Sequence, residues 1–344
     1  MIVRARIVGK KKWVLADHDG GVHWGRYRES LAELEERVGI AGADLEIRCG
    51  ERELAAALTA AFSRPGAARA EGGRKPHVSA SQLDLYCRCG EAYRRRYLDG
   101  ERIPPPFAIL RGTAIHRAAA RNFAQKRDSR QDLPAGEIVE AAVAAFGAEL
   151  DAQGVTLTAE ESARSGAAIG EARDTVAALA EAHANTQAPD YMPVLVEETV
   201  RIELPAASRD LLGVVDLLDD RGRVVDFKNV RKKPSQAEAD ASTQLTVYAS
   251  AATTIAAGGV VPSETRLDAL VVGAKGIRRE VVASARDRQD FAALANRINT
   301  VTDAIEKGIF APATPGAWWC SAKWCGYFAT CRFVNPNRGG ASDE

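Results

Sequence analysis

Beyond Val194 the apolar residues stop recurring at steps of three and four and gather into short runs. The runs "VLVEETVRIEL", "LLGVVDLL", "RVVDFKNV", "RLDALVVG" and "IRREVVA" predict five strands. Between the third and fourth, "QAEADASTQLTVYASAATTIA" predicts a helix, and "RDRQDFAALANRINTVTDAIEKG" predicts a last helix before a cysteine-rich tail. Upstream, Gly136 to His183 is Ala- and Glu-rich and reads as mostly helical, an acidic bundle outside the core. Ser79 with Gln82 fits a capping box, and Leu83, Tyr86, Gly90, Tyr93 and Tyr97 give the following helix one packing face. Prolines in "DGERIPPPF" end that helix, and a second one follows from about Gly112, carrying His116. Strands interrupted by a helix predict a mixed sheet with helices against it.

Residues 1–62 predict a small α/β unit: "IVRARIV" and "KWVLAD" as strands, "DHDGG" as a turn, "ESLAELEERV" as a helix. "SRPGAARAEGGRKP" reads as a linker, so the expected division is 1–62, a linker at 63–77, a main domain at 78–333 and a flexible tail at 334–344. No apolar run approaches the ~20 residues that span a bilayer. The start, "MIVRARIVGKKKW", lacks the apolar core of a signal peptide, so a cytoplasmic protein is the expectation.

Net charge is zero, but it is unevenly distributed: Ser79–Arg130 holds 11 Lys/Arg against 5 Asp/Glu, and Gln131–Asp190 holds 2 against 11. A concentrated basic segment suits phosphate binding as well as it suits a solvated helix face. The cysteines are Cys49, Cys87, Cys89, Cys320, Cys325 and Cys331. In a cytosolic chain of this size their clustering suggests metal rather than disulfides.

One stretch breaks the apolar pattern. "GVVDLLDDRGRVVDFKNV", Gly213 to Val230, puts charges inside two strands that look built for burial. "DDRG" predicts a tight turn and therefore a hairpin. Asp226 and Lys228 then share a face, because side chains alternate along a strand, and Asp216 reaches that side from the neighbouring strand. Buried unpaired charges are costly, so the three need one another, water or a cation. Two close carboxylates suit a hard divalent ion, and a lysine beside them suits a water or a phosphate. The spacing alone fits an ion pair at a strand edge equally well.

"GVVD" followed by "VVDFK" resembles the core of the PD-(D/E)xK nuclease superfamily, in its RecB-like branch, which also takes in CRISPR-associated exonucleases with a C-terminal cysteine cluster. That branch has a G-x-x-x-H motif, matched by Gly112–His116, "GTAIH", and a Q-x-x-x-Y motif, matched by Gln244–Tyr248, "QLTVY". The spacing of four places Gln244 and Tyr248 on one helix face. A glutamate on the strand before the first aspartate would be Glu197 or Glu198. The likeness covers about residues 78–333 and leaves 1–75 unmatched.

The resemblance implies an α/β restriction-endonuclease-like core, a mixed central sheet flanked by helices, with the N-terminal unit as an appendage. It implies Mg²⁺ or Mn²⁺ held by His116, Asp216, Asp226 and the Phe227 carbonyl, with Lys228 positioning a water. Gln244 and Tyr248 join the catalytic set, although both also suit a packed core. Arg94 to Arg96, Arg111 and Arg231 to Lys233 are candidates for phosphate contacts.

The resemblance further implies a 4Fe-4S cluster held by Cys320, Cys325, Cys331 and one cysteine of the leading helix, Cys89 rather than Cys87. The paired C-x₂-C knuckles of structural zinc are absent, yet the C-x₄-C gap also departs from relatives with a cluster, so zinc stays open.

The function so implied is a metal-dependent DNA exonuclease in recombination, repair or phage replication. Single strands are the preferred substrate, and a recombination or annealing protein is a candidate partner. An end-independent endonuclease of the restriction type is one rival. A non-catalytic DNA-binding subunit of a recombination or CRISPR-adaptation complex is the other, and the intact Asp, Asp and Lys set argues against it.

Overall fold

The structure, a computed structural model, describes residues 3–7, 12–16, 22–24, 30–39, 45–49, 76–204, 208–255 and 262–334. It divides into two units, Met1–Gly73 and Arg74–Glu344. The predicted "DHDGG" turn, most of the linker and the end of the tail lie outside the described residues.

In the first unit, strands β1 (Val3–Ile7), β2 (Lys12–Ala16), β3 (Val22–Trp24) and β4 (Leu45–Cys49) form a sheet in the order β3-β2-β1-β4. β4 runs parallel to β1, and the other pairs are antiparallel. Helix α1 (Leu31–Val38) starts at a capping box between Ser30 and Glu33, and buries Leu34 against Leu15. β3 and β4 carry no alternation long enough to be read from the sequence.

The second unit opens with β5 (His77–Ser79), a three-residue strand, and α2 (Ala80–Arg88). Ser79 and Gln82 form the predicted capping box. The helix predicted to continue to Leu98 breaks at Cys89, whose backbone is extended (φ −163°, ψ 102°). It resumes as α3 (Gly90–Tyr93) and closes in a π-helical turn, Arg94–Leu98. The break fits Gly90, where a Cβ would lie 2.9 Å from the Ala311 amide nitrogen. No side chain has room there.

α4 runs Phe107–Ser129, starting five residues before the predicted Gly112, because Pro106 sits outside the first turn, where its missing N–H costs no helical bond. α5 (Ala135–Gln153), α6 (Ala159–Ala163) and α7 (Ser165–Ala182) complete the acidic helical region, and α4, α5 and α7 pack through Leu110, Ile138, Phe146 and Val176. The five predicted strands follow as β6 (Pro193–Ile202), β7 (Asp210–Asp219), β8 (Arg223–Val230), β9 (Glu264–Gly273) and β10 (Gly276–Ser284). The helix predicted between the third and fourth strands is two: α8 (Gln236–Asp240), with a Ser235–Glu238 capping box, and α9 (Thr243–Ile255). The last helix, α10, spans Arg288–Glu306.

The sheet is mixed: β7 runs antiparallel to β6 and β8 and parallel to β5, while β8 runs parallel to β9 and β9 antiparallel to β10. One face packs on α4 through Phe123, Leu217, Val225 and Phe227, and the other on α9 through Val215, Val224, Tyr248 and Ala251. Val215 and Leu217 thus face opposite layers although two residues apart, so the alternation breaks at Asp216.

Candidate active site

β7 and β8 turn at Asp219–Gly222, where Gly222 takes φ +74°. Their ladder then stops after two pairs, Leu217↔Val225 and Leu218↔Val224. Where the next bond would form, the Phe227 amide donates instead to Asp216 Oδ2 at 3.1 Å. The strands splay at the pair of positions that carry Asp216 and Asp226.

On the other edge of β7, pairing forms at Val196↔Leu217 and Glu198↔Val215 but not between Glu197 and Asp216. Glu197 takes φ +45°, a left-handed conformation disfavoured for a residue with a Cβ. The twist turns Glu197 toward the site: its Oε1 lies 3.7 Å from His116 Nδ1. Glu198 is exposed. His116 Nδ1 is also 3.4 Å from Asp216 Oδ2, and its Nε2 lies 2.9 Å from the Phe227 carbonyl, to which it can only donate. Ligand atoms of His116, Glu197 and Asp216 all fall within 4.8 Å of one another.

A second chain of contacts runs through Asp216. Lys228 Nζ donates to Gln244 Oε1 at 2.9 Å, and Gln244 Nε2 donates to the Tyr248 hydroxyl at 2.6 Å. That hydroxyl donates to Asp216 Oδ1 at 2.8 Å. Gln244 and Tyr248, one turn apart on α9, therefore tie the lysine to the aspartate. Packing and polar contact are combined here, since Tyr248 is also buried among Val215 and Val224.

Asp226 is fully buried, and Lys228 Nζ lies 2.8 Å from its Oδ2. The contact is an ion pair without hydrogen-bond alignment, and neither oxygen of Asp226 has a hydrogen-bond partner. Burial pushes its pKa up to about 7 against the pull of Lys228. Burial likewise raises Asp216, with His116 opposing. At His116 burial disfavours the charge, but Asp216, Glu197 and Asp226 outweigh it and lift the pKa to about 9. Three carboxylates around one imidazolium, one of them without a hydrogen bond, form a donor set that fits a divalent cation. His116, Glu197 and Asp216 are its closest-knit part, with Asp226 and the Phe227 carbonyl adjoining. The family resemblance named Glu197 only as one of two choices; its positive φ has no signal in sequence.

The expected cationic contacts divide. Arg94 pairs with Glu91 and Asp99, and Arg95 with Glu101, the Tyr327 carbonyl and Thr330 Oγ1, so both brace the fold rather than wait for phosphate. Lys233 pairs with Glu280 at 2.8 Å. Arg96 and Arg231 are exposed, and Arg111 has its pKa lowered by burial and by nearby Arg231. Two cations held close to each other suit an anion.

The expected metal thiols are also brought near one another. Burial raises the Cys320 pKa first, and the neighbouring Cys325, Cys89 and Cys331 add to it. Cys87 is exposed beside Asp84 and Arg297 instead. The thiols do not close to the 4.8 Å of the carboxylate–imidazole group. The C-terminal segment is fastened to the leading helix and the coil after it by protein contacts as well: Tyr86 to the Ile309 carbonyl at 2.5 Å, Tyr327 to the Glu101 carbonyl at 2.7 Å, and Arg332 to Glu91 at 3.1 Å.

A family model of the PD-(D/E)XK nuclease superfamily matches residues 77–332. The chain belongs to that superfamily. The match spans this nuclease from β5 past the last cysteine, and takes in both aspartates, Lys228, His116, Gln244 and Tyr248. None of the curated proteins compared matches it. Among solved structures, a "Putative exonuclease" from Eubacterium rectale aligns at 11% identity over 75% of this chain and 89% of that one, with a TM-score of 0.44. No helix among the described residues of the nuclease is long and apolar enough to cross a membrane.

Proposed function

We propose that this nuclease is a DNA exonuclease dependent on Mg²⁺ or Mn²⁺ and acting by preference on single strands. The observation that carries the metal chemistry is the fully buried Asp226 carboxylate, ion-paired to Lys228 but without a hydrogen bond, beside the His116, Glu197 and Asp216 group. Lys228 lies 2.8 Å away but neither oxygen is hydrogen-bonded, and the pKa is pushed up to about 7, so a cation beside this carboxylate would further stabilise its charged form. His116, Glu197, Asp216, Asp226 and the Phe227 carbonyl would hold the ion. When bound, it supplies Lewis acidity toward water and the scissile phosphate.

The chain's own residues supply positioning. Lys228, held between Gln244 and the Asp226 carboxylate, would turn its outward side to a water for in-line attack or to charge building on a phosphate oxygen. Tyr248 and the Phe227 amide occupy the two oxygens of Asp216 and hold its carboxylate in one orientation. Arg111 and Arg231 would engage phosphates next to the cleaved one. We take residues 78–333 as the catalytic domain and Cys89, Cys320, Cys325 and Cys331 as ligands of a 4Fe-4S cluster that reinforces the fastening of the tail. A recombination or annealing protein remains the candidate partner in recombination, repair or phage replication, and cytoplasm the candidate location.

The test is a side-by-side digest of one single-stranded sequence as a linear strand and as a closed circle, in Mg²⁺ and in Mn²⁺. Progressive degradation of the linear form with survival of the circle supports an exonuclease. Equal rates on both forms would mean an endonuclease with the same metal chemistry.

A further inference from the structure

A cleft of about 780 Å³ opens between the leading helix, the Pro104–Pro106 segment and the C-terminal coil. Its walls carry Trp318, Trp324 and Tyr327 with Arg88, Arg96 and Arg102, and no aspartate or glutamate lines it. Trp318 and Trp324 are 64% and 60% exposed, an unusual placement for the largest apolar side chains. They meet edge to face, with ring centroids 5.4 Å apart, a contact that covers one ring's face on one side only. Arg88, Arg96 and Arg102 are exposed and make no ion pair among the described residues. Lys323 lies 5.6 Å over the Trp324 ring.

We propose that this cleft is a base-stacking subsite for single-stranded nucleic acid, with Trp318 and Trp324 as platforms and Arg88, Arg96 and Arg102 as phosphate contacts. The proposal rests on the nuclease reading and adds where the strand is gripped. Flat, exposed indoles beside unpaired guanidinium groups match a chain that alternates flat bases and anions. A duplex keeps its base faces stacked inside and offers only phosphates. An acidic peptide would satisfy the arginines and leave the tryptophans idle.

Helix α4 links the cleft to the catalytic group. Ile109 lines it, and His116 follows on the same helix seven residues later, about 10 Å along the axis at ~1.5 Å per residue. Arg111, with its like-charged neighbour Arg231, falls between them. Bases stacked in the cleft would leave the backbone running past these cations toward Asp216. Three of the cysteines, Cys89, Cys320 and Cys325, line the same cleft, so a metal bound there would fix the coil that carries both tryptophans.

The experiment measures binding of fluorescein-labelled dT20 and of a blunt duplex by anisotropy, with whole protein purified without air and with EDTA present to prevent cleavage. Trp324→Ala should weaken strand binding by roughly 5- to 160-fold, from about 1–3 kcal/mol of stacking per base. Trp324→Phe should restore most of it, and duplex affinity should move less than about twofold. Arg96→Ala/Arg102→Ala should weaken strand binding and flatten its salt dependence. Unchanged dT20 affinity in Trp318→Ala/Trp324→Ala overturns the proposal, as does equal loss on strand and duplex. Displacement of dT20 by polyglutamate at matched charge concentration also overturns it, marking a surface for acidic proteins. Failure of the wild-type protein to bind or cut any nucleic acid would strike the nuclease reading instead.

Discussion

Replacing Asp226 by asparagine should raise the stability of the metal-free protein while removing its activity. The aspartate is fully buried and its oxygens lack hydrogen-bond partners. Its pKa is pushed from an ordinary 3.8 up to about 7. A carboxyl with a raised folded pKa favours the native state less as pH rises, because the folded protein holds the proton more tightly than the unfolded chain. The loss begins near pH 4 and is complete above pH 7, and at about 1.4 kcal/mol per unit it reaches roughly 4 kcal/mol. Asparagine keeps the shape without the charge. Its amide protons find few acceptors there, which returns about 1–3 kcal/mol. Lys228 loses its ion pair at little cost, since its side chain is 36% exposed and still bonded to Gln244. The net gain at pH 8 is therefore about 1–3 kcal/mol, or roughly 5 °C in Tm for a unit of this size. Thermal unfolding in EDTA at pH 8 and at pH 5 measures it. The advantage should shrink or reverse at pH 5, where the native aspartate is protonated. An asparagine variant less stable than wild type at both pH values would refute the reasoning.

Tyr248→Phe leaves Asp216 Oδ1 without its donor and should weaken metal affinity about tenfold, read by titrating activity with Mn²⁺. Glu197→Gly should relieve about 1 kcal/mol of backbone strain, seen as unchanged or higher stability in EDTA, while raising the metal concentration needed for half-maximal activity. His116, with its pKa lifted to about 9, stabilises the metal-free fold fully below pH 6.5 and loses that contribution as pH rises through 9. His116→Gln should flatten this part of the stability–pH curve, as measured by chemical denaturation. Gly90→Ala forces a Cβ to 2.9 Å from the Ala311 backbone and should lower stability by about 1–3 kcal/mol in a thermal melt.

The sheet was legible because burial enforces apolar runs: all five strands from Pro193 to Ser284 announce themselves that way. β5 did not, since three residues carry no period, and its Ser79 reads only as a helix cap. The π-helical turn at Arg94–Leu98 was hidden because its arginines look like a free basic face. Arg95's partners, Glu101 and Thr330, lie in other segments, and only folding brings them together. Asp216, Asp226, Lys228, Gln244 and Tyr248 could be gathered from spacing and family likeness. Their order along one hydrogen-bonded path could not, because it depends on where the β7–β8 ladder stops. Glu197 needed a backbone angle that no residue type advertises.

The most direct measurement follows release of nucleotides from a 5′-labelled single strand by wild type and by Lys228→Ala at equal concentration, with Mg²⁺, with Mn²⁺ and with EDTA. The account predicts degradation by the wild type in at least one metal. It predicts none in EDTA, and loss by Lys228→Ala of at least about 100-fold, since one positioned catalytic group contributes roughly that much. Cleavage that persists in EDTA, or that Lys228→Ala performs at the wild-type rate, would contradict it.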